Sequence, residues 1–171
     1  MDSAQTNSPR SLSGINPGIN LRSVQAEDFE FLLEVYAATR RDEMGMVPWD
    51  DEQRRAFLAS QFTAQQEHYR KTYPHAQHQI VLLGEEMAGR IYVARLDEEI
   101  RIIDLIILPV YRGRGIGGQL ITRLQSEGSE AKKPLRVYVE SFNPALSFFE
   151  KRGFKQIGEH GFHLLMERKA E

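Results

Sequence analysis

The chain has 171 residues, 41% of them hydrophobic, with 24 acidic and 22 basic side chains, a net charge of −2 and no cysteine. Length and apolar content are those of one domain with its own core. The near-balance of charge speaks against a general nucleic-acid binder, and the missing cysteine removes disulfides, thiolate metal sites and a catalytic thiol. No apolar run approaches the roughly 18 residues needed to span a membrane. No membrane or nucleic-acid partner is therefore expected, and the expected setting is a reducing cytoplasm.

Residues 1–18 are rich in Ser, Asn, Pro and Gly and lack the apolar centre of a signal peptide, so they read as a disordered tail before a domain at 19–171. Ile19 to Val24 alternates as a strand. Ala26 to Arg40 reads as a helix, with Phe29, Leu32, Leu33 and Tyr36 at helical spacing. Asp42 to Pro48 reads as a loop. Asp50 to Tyr73 is a longer helix, capped by Asp50 or Asp51, with Phe57, Leu58, Phe62 and Tyr69 on its apolar face. Gln79 to Leu83 and Met87 to Arg95 form a hairpin around Gly84, Glu85 and Glu86. A strand ends at Leu108, and a helix runs to about Ser129. Leu135 to Ser141 is a strand, Pro144 to Arg152 a short helix, and Lys155 to Gly158 and Phe162 to Arg168 are two final strands.

The most informative stretch joins the strand ending at Leu108 to the helix that follows. A hinge from Pro109 to Arg112 leads into Gly113, Gly115, Gly117 and Gly118, and Ile116, Leu120, Ile121 and Leu124 then recur at helical spacing. A strand, a glycine loop and a helix N-terminus make a phosphate cradle: bare N–H groups and the helix dipole face the anion, and glycine lets the backbone approach it. Arg112 and Arg114 add charge-assisted donors. No Lys-Ser or Lys-Thr follows, so the loop is not a P-loop. Gly113, Gly115 and Gly118 do satisfy a dinucleotide fingerprint, with Glu140 standing where its ribose ligand would. Against that reading, Pro109 to Arg112 separate strand from glycine, and the remaining chain is too short to complete a doubly wound sheet.

A third reading accounts for both facts. The run Arg112-Gly113-Arg114-Gly115-Ile116-Gly117 matches the pattern Gln/Arg-x-x-Gly-x-Gly/Ala. Further on, Val137-Tyr138-Val139 leads to Asn143, then Ala145, Phe148, Phe149 and the pair Gly153-Phe154. In these two motifs the chain resembles the GNAT N-acetyltransferase superfamily. The motifs cover residues 103–158, and the order of elements extends the likeness over about 20–169. The resemblance implies an α/β fold (α+β in stricter schemes) with a mixed, twisted sheet flanked by helices. It implies direct acetyl transfer from acetyl-CoA to an amine of a small molecule or peptide, with no metal. The CoA-binding positions it marks are Arg112, Gly113, Arg114, Gly115, Ile116, Gly117 and Gly118 at the pyrophosphate, Ile107 and Leu108 as main-chain donors to the thioester, and Asn143 and Phe149 beside the pantetheine.

The chain departs from the family at Phe149, where a tyrosine often serves as acid for the leaving thiolate. A non-catalytic acyl-CoA sensor or interaction module is the alternative this leaves open. For the base, Asp104 stands out as a lone acid in an apolar strand. Tyr138 and Glu140 share one face of the fifth strand by period-two alternation, and Tyr138 sits where some relatives carry a catalytic glutamate. The acceptor wall is expected from the loop between the first two helices, at Arg40, Glu43 and Trp49. His68, His75 and His78 lack the spacing of a metal site. A homodimer is left open.

Overall fold

The computed structural model describes residues 18–171. The expected tail, residues 1–18, lies outside the described residues except for Gly18. Seven strands form one sheet: β1 (Ile19–Ser23), β2 (Gln77–Leu83), β3 (Glu86–Arg95), β4 (Ile100–Ile107), β5 (Leu135–Glu140), β6 (Lys155–His160) and β7 (His163–Arg168). Their order is β1-β2-β3-β4-β5-β7-β6. Every neighbouring pair is antiparallel except β4 and β5, which run parallel.

The first predicted helix begins as a 3-10 turn (Ala26–Asp28) and continues as α1 (Phe29–Thr39). The expected loop at 42–48 is partly helical: α2 spans Arg41–Gly45. Its residues favour helix, and Arg40 pairs with Glu43 across one turn at 3.0 Å. The third helix, α3 (Asp51–Thr72), starts with a capping box in which Asp50 accepts from the Gln53 N–H and the Gln53 side chain accepts from the Asp50 N–H. The helices α4 (Ile116–Ala131) and α5 (Ala145–Glu150) complete the chain order. Among the described residues no helix is long and apolar enough to cross a membrane.

The sheet separates two cores. On one face Leu32, Tyr36, Leu58 and Phe62 of α1 and α3 pack around Ile80. On the other, Ile116, Leu120, Ile121 and Leu124 of α4, with Phe149 and Phe154, cover Ile100, Ile102, Val137 and Val139. Each such side chain contributes roughly 1.5–3 kcal/mol on burial, so the sheet is clamped from both sides.

Two irregularities shape its centre. The β4–β5 ladder holds only from Ile100, Arg101 and Ile102 to Leu135, Arg136 and Val137; beyond these pairs the strands diverge. Between β3 and β4 the register slips at Tyr92 and Val93 of β3, which face Asp104 and Ile102 and leave Ile103 as the extra residue of a bulge on β4. Ile100 and Ile102 face the α4 core, and after the bulge so do Leu105 and Ile107. Under strict alternation Asp104 would point into that core with Ile100 and Ile102. The bulge turns it to the opposite face.

Candidate active site

Where β4 and β5 diverge, a cleft of about 590 Å³ opens. Its floor is Ile102 to Ile106 of β4 and Val137 to Glu140 of β5, and Asn143, Ala145 and Phe149 close one side. The opposite wall comes from α1 and α3, through Tyr36, Thr39 and Arg40, then Gln65, His68, Tyr69 and Tyr73. His160 and His163 from the last hairpin complete the rim.

Both predicted acids reach the cleft, but in different settings. Asp104 is part-buried and ion-paired with Arg90, a side chain fully out of solvent. Glu140 is about half exposed, and its Oε1 lies 3.8 Å from His163 Nε2, the residue paired with it across β5 and β7. Tyr138 lines the same cleft, with the Arg101 guanidinium 5.0 Å from its ring centroid. Arg101 is itself held by both oxygens of Glu99, at 3.0 and 3.2 Å. Burial, reinforced by the charge of Asp104, raises the Tyr69 hydroxyl above its ordinary pKa. Tyr69 therefore remains an uncharged hydroxyl throughout the neutral range.

Backbone groups on the open edge of β4 can be read from the ladder. Leu108 donates its N–H to Ala88 O at 2.8 Å. Leu108 was expected as a main-chain donor to the thioester; its N–H is spent inside the sheet and does not serve. Alternation in an antiparallel ladder turns the N–H of Ile106 the same way and those of Leu105 and Ile107 towards the side that β5 has left. Ile107 thus keeps the orientation expected of it, and Leu105 joins it.

The glycine loop follows the end of β4. Gly113 and Gly115 have φ of 77° and 80°, the left-handed region that favours glycine, and Gly115 is the N-cap of α4. No side chain caps that helix and no acid stands in its first turn, so its N–H groups face outward without a side-chain partner. Arg112 folds back to donate from Nε to Ile107 O at 2.9 Å, and the Arg114 guanidinium lies 5.5 Å from the Tyr111 ring centroid. Gly117 and Gly118 serve packing: a Cβ would come within 3.2 Å of Phe148 and 2.7 Å of Arg152 on the α5 side. Ile116 is buried in the α4 core rather than displayed.

Asn143 lines the cleft while its Oδ1 accepts from the Ala145 N–H at 2.9 Å, which starts α5. Phe149 also lines it, wedged edge-on between Phe148 and Phe154. Of the three expected acceptor residues only Arg40 is in the wall. Glu43 is exposed and pairs with Arg40 from outside. Trp49 packs edge-on against Phe57, 5.0 Å between centroids, and anchors the segment before α3 instead of lining the cleft. The wall contributed by α3 was missed. Gln65, His68, Tyr69 and Tyr73 recur at three, one and four residues, a polar-aromatic stripe that helical periodicity reveals once it is not restricted to aliphatic residues.

A model of the acetyltransferase (GNAT) domain matches residues 46–163. No curated protein matches the chain by sequence. Among solved structures, the fold is similar to that of the PaiA N-acetyltransferase of Thermoplasma acidophilum in complex with coenzyme A, with 20% identity, a TM-score of 0.67, and 89% of this chain and 99% of that one covered. It is also similar to an acetyltransferase of Thermus thermophilus, with 20% identity, a TM-score of 0.66, and 91% and 99% covered.

Proposed function

The chain belongs to the GNAT acetyltransferase family and is by that membership an acyltransferase; we propose that it moves acetyl from acetyl-CoA directly to the amine of a small molecule or peptide. The observation that carries this reading is the divergence of β4 from β5 beyond Ile102 and Val137, which opens a cleft between a glycine-rich helix N-terminus and a polar wall. The pantetheine would lie along the open edge of β4, like a strand taking the place β5 has left. The pyrophosphate would meet Gly113, Arg114, Gly115, Ile116, Gly117 and Gly118 through main-chain N–H groups, with Arg112 tying the loop to the strand end. Asn143 and Phe149 would border the pantetheine.

In the reaction, the amine lone pair attacks the thioester carbon, a C–N bond forms, the C–S bond breaks, CoA leaves as a thiolate, and the nitrogen releases its second proton to solvent to give the neutral amide. The N–H groups of Leu105 and Ile107 point to where the carbonyl oxygen becomes an oxyanion. A lysine-like amine must first lose a proton, which costs roughly 4–5 kcal/mol at neutral pH. We assign that proton to Glu140, with His163 Nε2 3.8 Å from its Oε1. Tyr138 borders the amine. Phe149 cannot protonate the leaving thiolate, and with a thiol pKa near 8.5 the thiolate leaves near neutrality without that donor.

Release of free thiol from acetyl-CoA, followed with butylamine, 1,5-diaminopentane, glycinamide, tyramine and an N-blocked lysine peptide, tests the proposal. Thiol release dependent on one of these amines, with the acetylated amine seen by mass spectrometry, is the expected result. Tight CoA binding with no release would instead support a sensor. Glu140→Gln should lower kcat by about 10²–10⁴-fold, the usual worth of a general base.

A further inference from the structure

Among the described residues, Arg90 is the largest side chain fully shielded from solvent. It sits on β3, in the middle of the sheet, with the ring of Phe62 at 5.5 Å from its guanidinium carbon. Its hydrogen bonds run through one nitrogen: Nη2 donates to Gln65 Oε1 at 2.9 Å and to Asp104 Oδ2. Nε and Nη1 are buried with no partner. A buried guanidinium with unmet N–H groups is costly, and an apolar side chain of like size would usually serve stability as well or better. What this arrangement does provide is a fixed carboxylate. The partner of Arg90 is the one acid on β4, turned out of the α4 core by the bulge at Ile103 and presented in the cleft wall. The second partner, Gln65, lines the cleft as well and ties α3 to the same unit.

Resting on the reading that the cleft receives an amine, we infer that Arg90 is a positioning residue: it holds Asp104 by Oδ2 so that Oδ1 accepts a hydrogen bond from the acceptor nitrogen and aims its lone pair at the thioester. Asp104 orients the amine, and Glu140 takes the proton. Arg90 touches no substrate and acts through Asp104 alone.

The test is a double-mutant cycle on the most active amine of the panel above, with near-UV circular dichroism and melting to confirm folding. Asp104→Asn and Arg90→Met should each raise the acceptor KM by about tenfold or more, the worth of one charge-assisted hydrogen bond. The KM for acetyl-CoA should stay within about twofold, since the CoA loop is untouched. The double variant should be no worse than either single one, because both remove the same contact. Arg90→Lys keeps the cation without the planar fork and should recover part of the loss. If Arg90→Met does not fold, the cycle of Arg90→Lys with Asp104→Asn decides by the same criterion. An unchanged acceptor KM on changing Arg90, effects that multiply in the double variant, or equal losses for both substrates would overturn the inference. A wild type inactive on every amine would overturn the transfer reading and this one together; an active wild type indifferent to Arg90 would overturn this one alone.

Discussion

A methyl group added at Gly89 would meet the main-chain oxygen of Ile106 at 2.1 Å. Both atoms belong to backbone in the centre of the sheet, so neither can swing aside. Gly89→Ala should lower stability by about 2–4 kcal/mol, read as a lower midpoint in urea with an unchanged slope. Gly115 carries a different constraint: its φ of 80° is strained for any β-branched residue. Gly115→Val should leave the sheet folded and weaken CoA binding by more than tenfold, by calorimetry, since the N-cap backbone that faces the phosphate must rearrange. His78 gives a residue-level pH dependence. It stacks on Tyr92 at 4.3 Å, and burial, with the charges of Arg90 and Arg70, pushes its pKa down to about 3. The unfolded value is near 6.5, so between pH 6.5 and 3 the unfolded chain binds the proton that the folded chain refuses. The stability from this group is complete above pH 6.5 and is lost as pH falls, by at most about 1.4 kcal/mol per pH unit. His78→Phe keeps the stack without the titration. It should flatten the slope of stability against pH between 4 and 6.5; an unchanged slope would place the acid sensitivity elsewhere.

The bulge on β4 is the element that decides what the site contains. Residues 103–107 read as an apolar strand with one acid, and the sequence shows no mark of the extra residue at Ile103. Strict alternation sends Asp104 into the core, yet the fold places it in the cleft with Arg101. The motifs around Arg112 to Gly117 and Asn143 to Phe154 were legible because they depend on local rules: turn chemistry, glycine at positive φ, helical spacing. The partner of Asp104 was not, because Arg90 lies on the neighbouring strand and looks like any hairpin residue until the strands are paired. The wall from α3 was hidden for a related reason, since Gln65, His68 and Tyr73 are polar and a search for apolar stripes passes over them. Deleting Ile103 tests the bulge itself. The deletion restores a two-residue period in which Asp104 still faces the cleft and Leu105 still faces the core. Folding should survive with a melting temperature at or above that of the wild type. The local twist that the bulge adds to β4 beside the seam is lost, so the cleft should narrow and kcat should fall.

At the scale of the molecule, the sheet is two blocks joined at a narrow seam. Strands β1 to β4 form one, β5, β7 and β6 the other, and only three residue pairs of β4 and β5 connect them in the sheet. A ligand lying in the seam would supply the hydrogen bonds that the divergence leaves unmade, so binding and stability should be strongly linked. At CoA one hundredfold above its dissociation constant the linkage is about 2.7 kcal/mol, which for a domain of this size raises the melting temperature by about 5–10 °C. The rise should depend on the logarithm of CoA concentration and, at the same CoA concentration, should shrink to about half or less in Gly115→Val. Hydrogen exchange locates the effect. The amides of Leu105 and Ile107 point into the seam and should gain protection with CoA far beyond the average. Leu108 gives its N–H to Ala88 and is shielded already, so its exchange should slow only as much as global stability rises. Equal slowing of all three amides would mean that CoA stabilises the fold without occupying the seam, and the placement of the pantetheine along β4 would then be wrong.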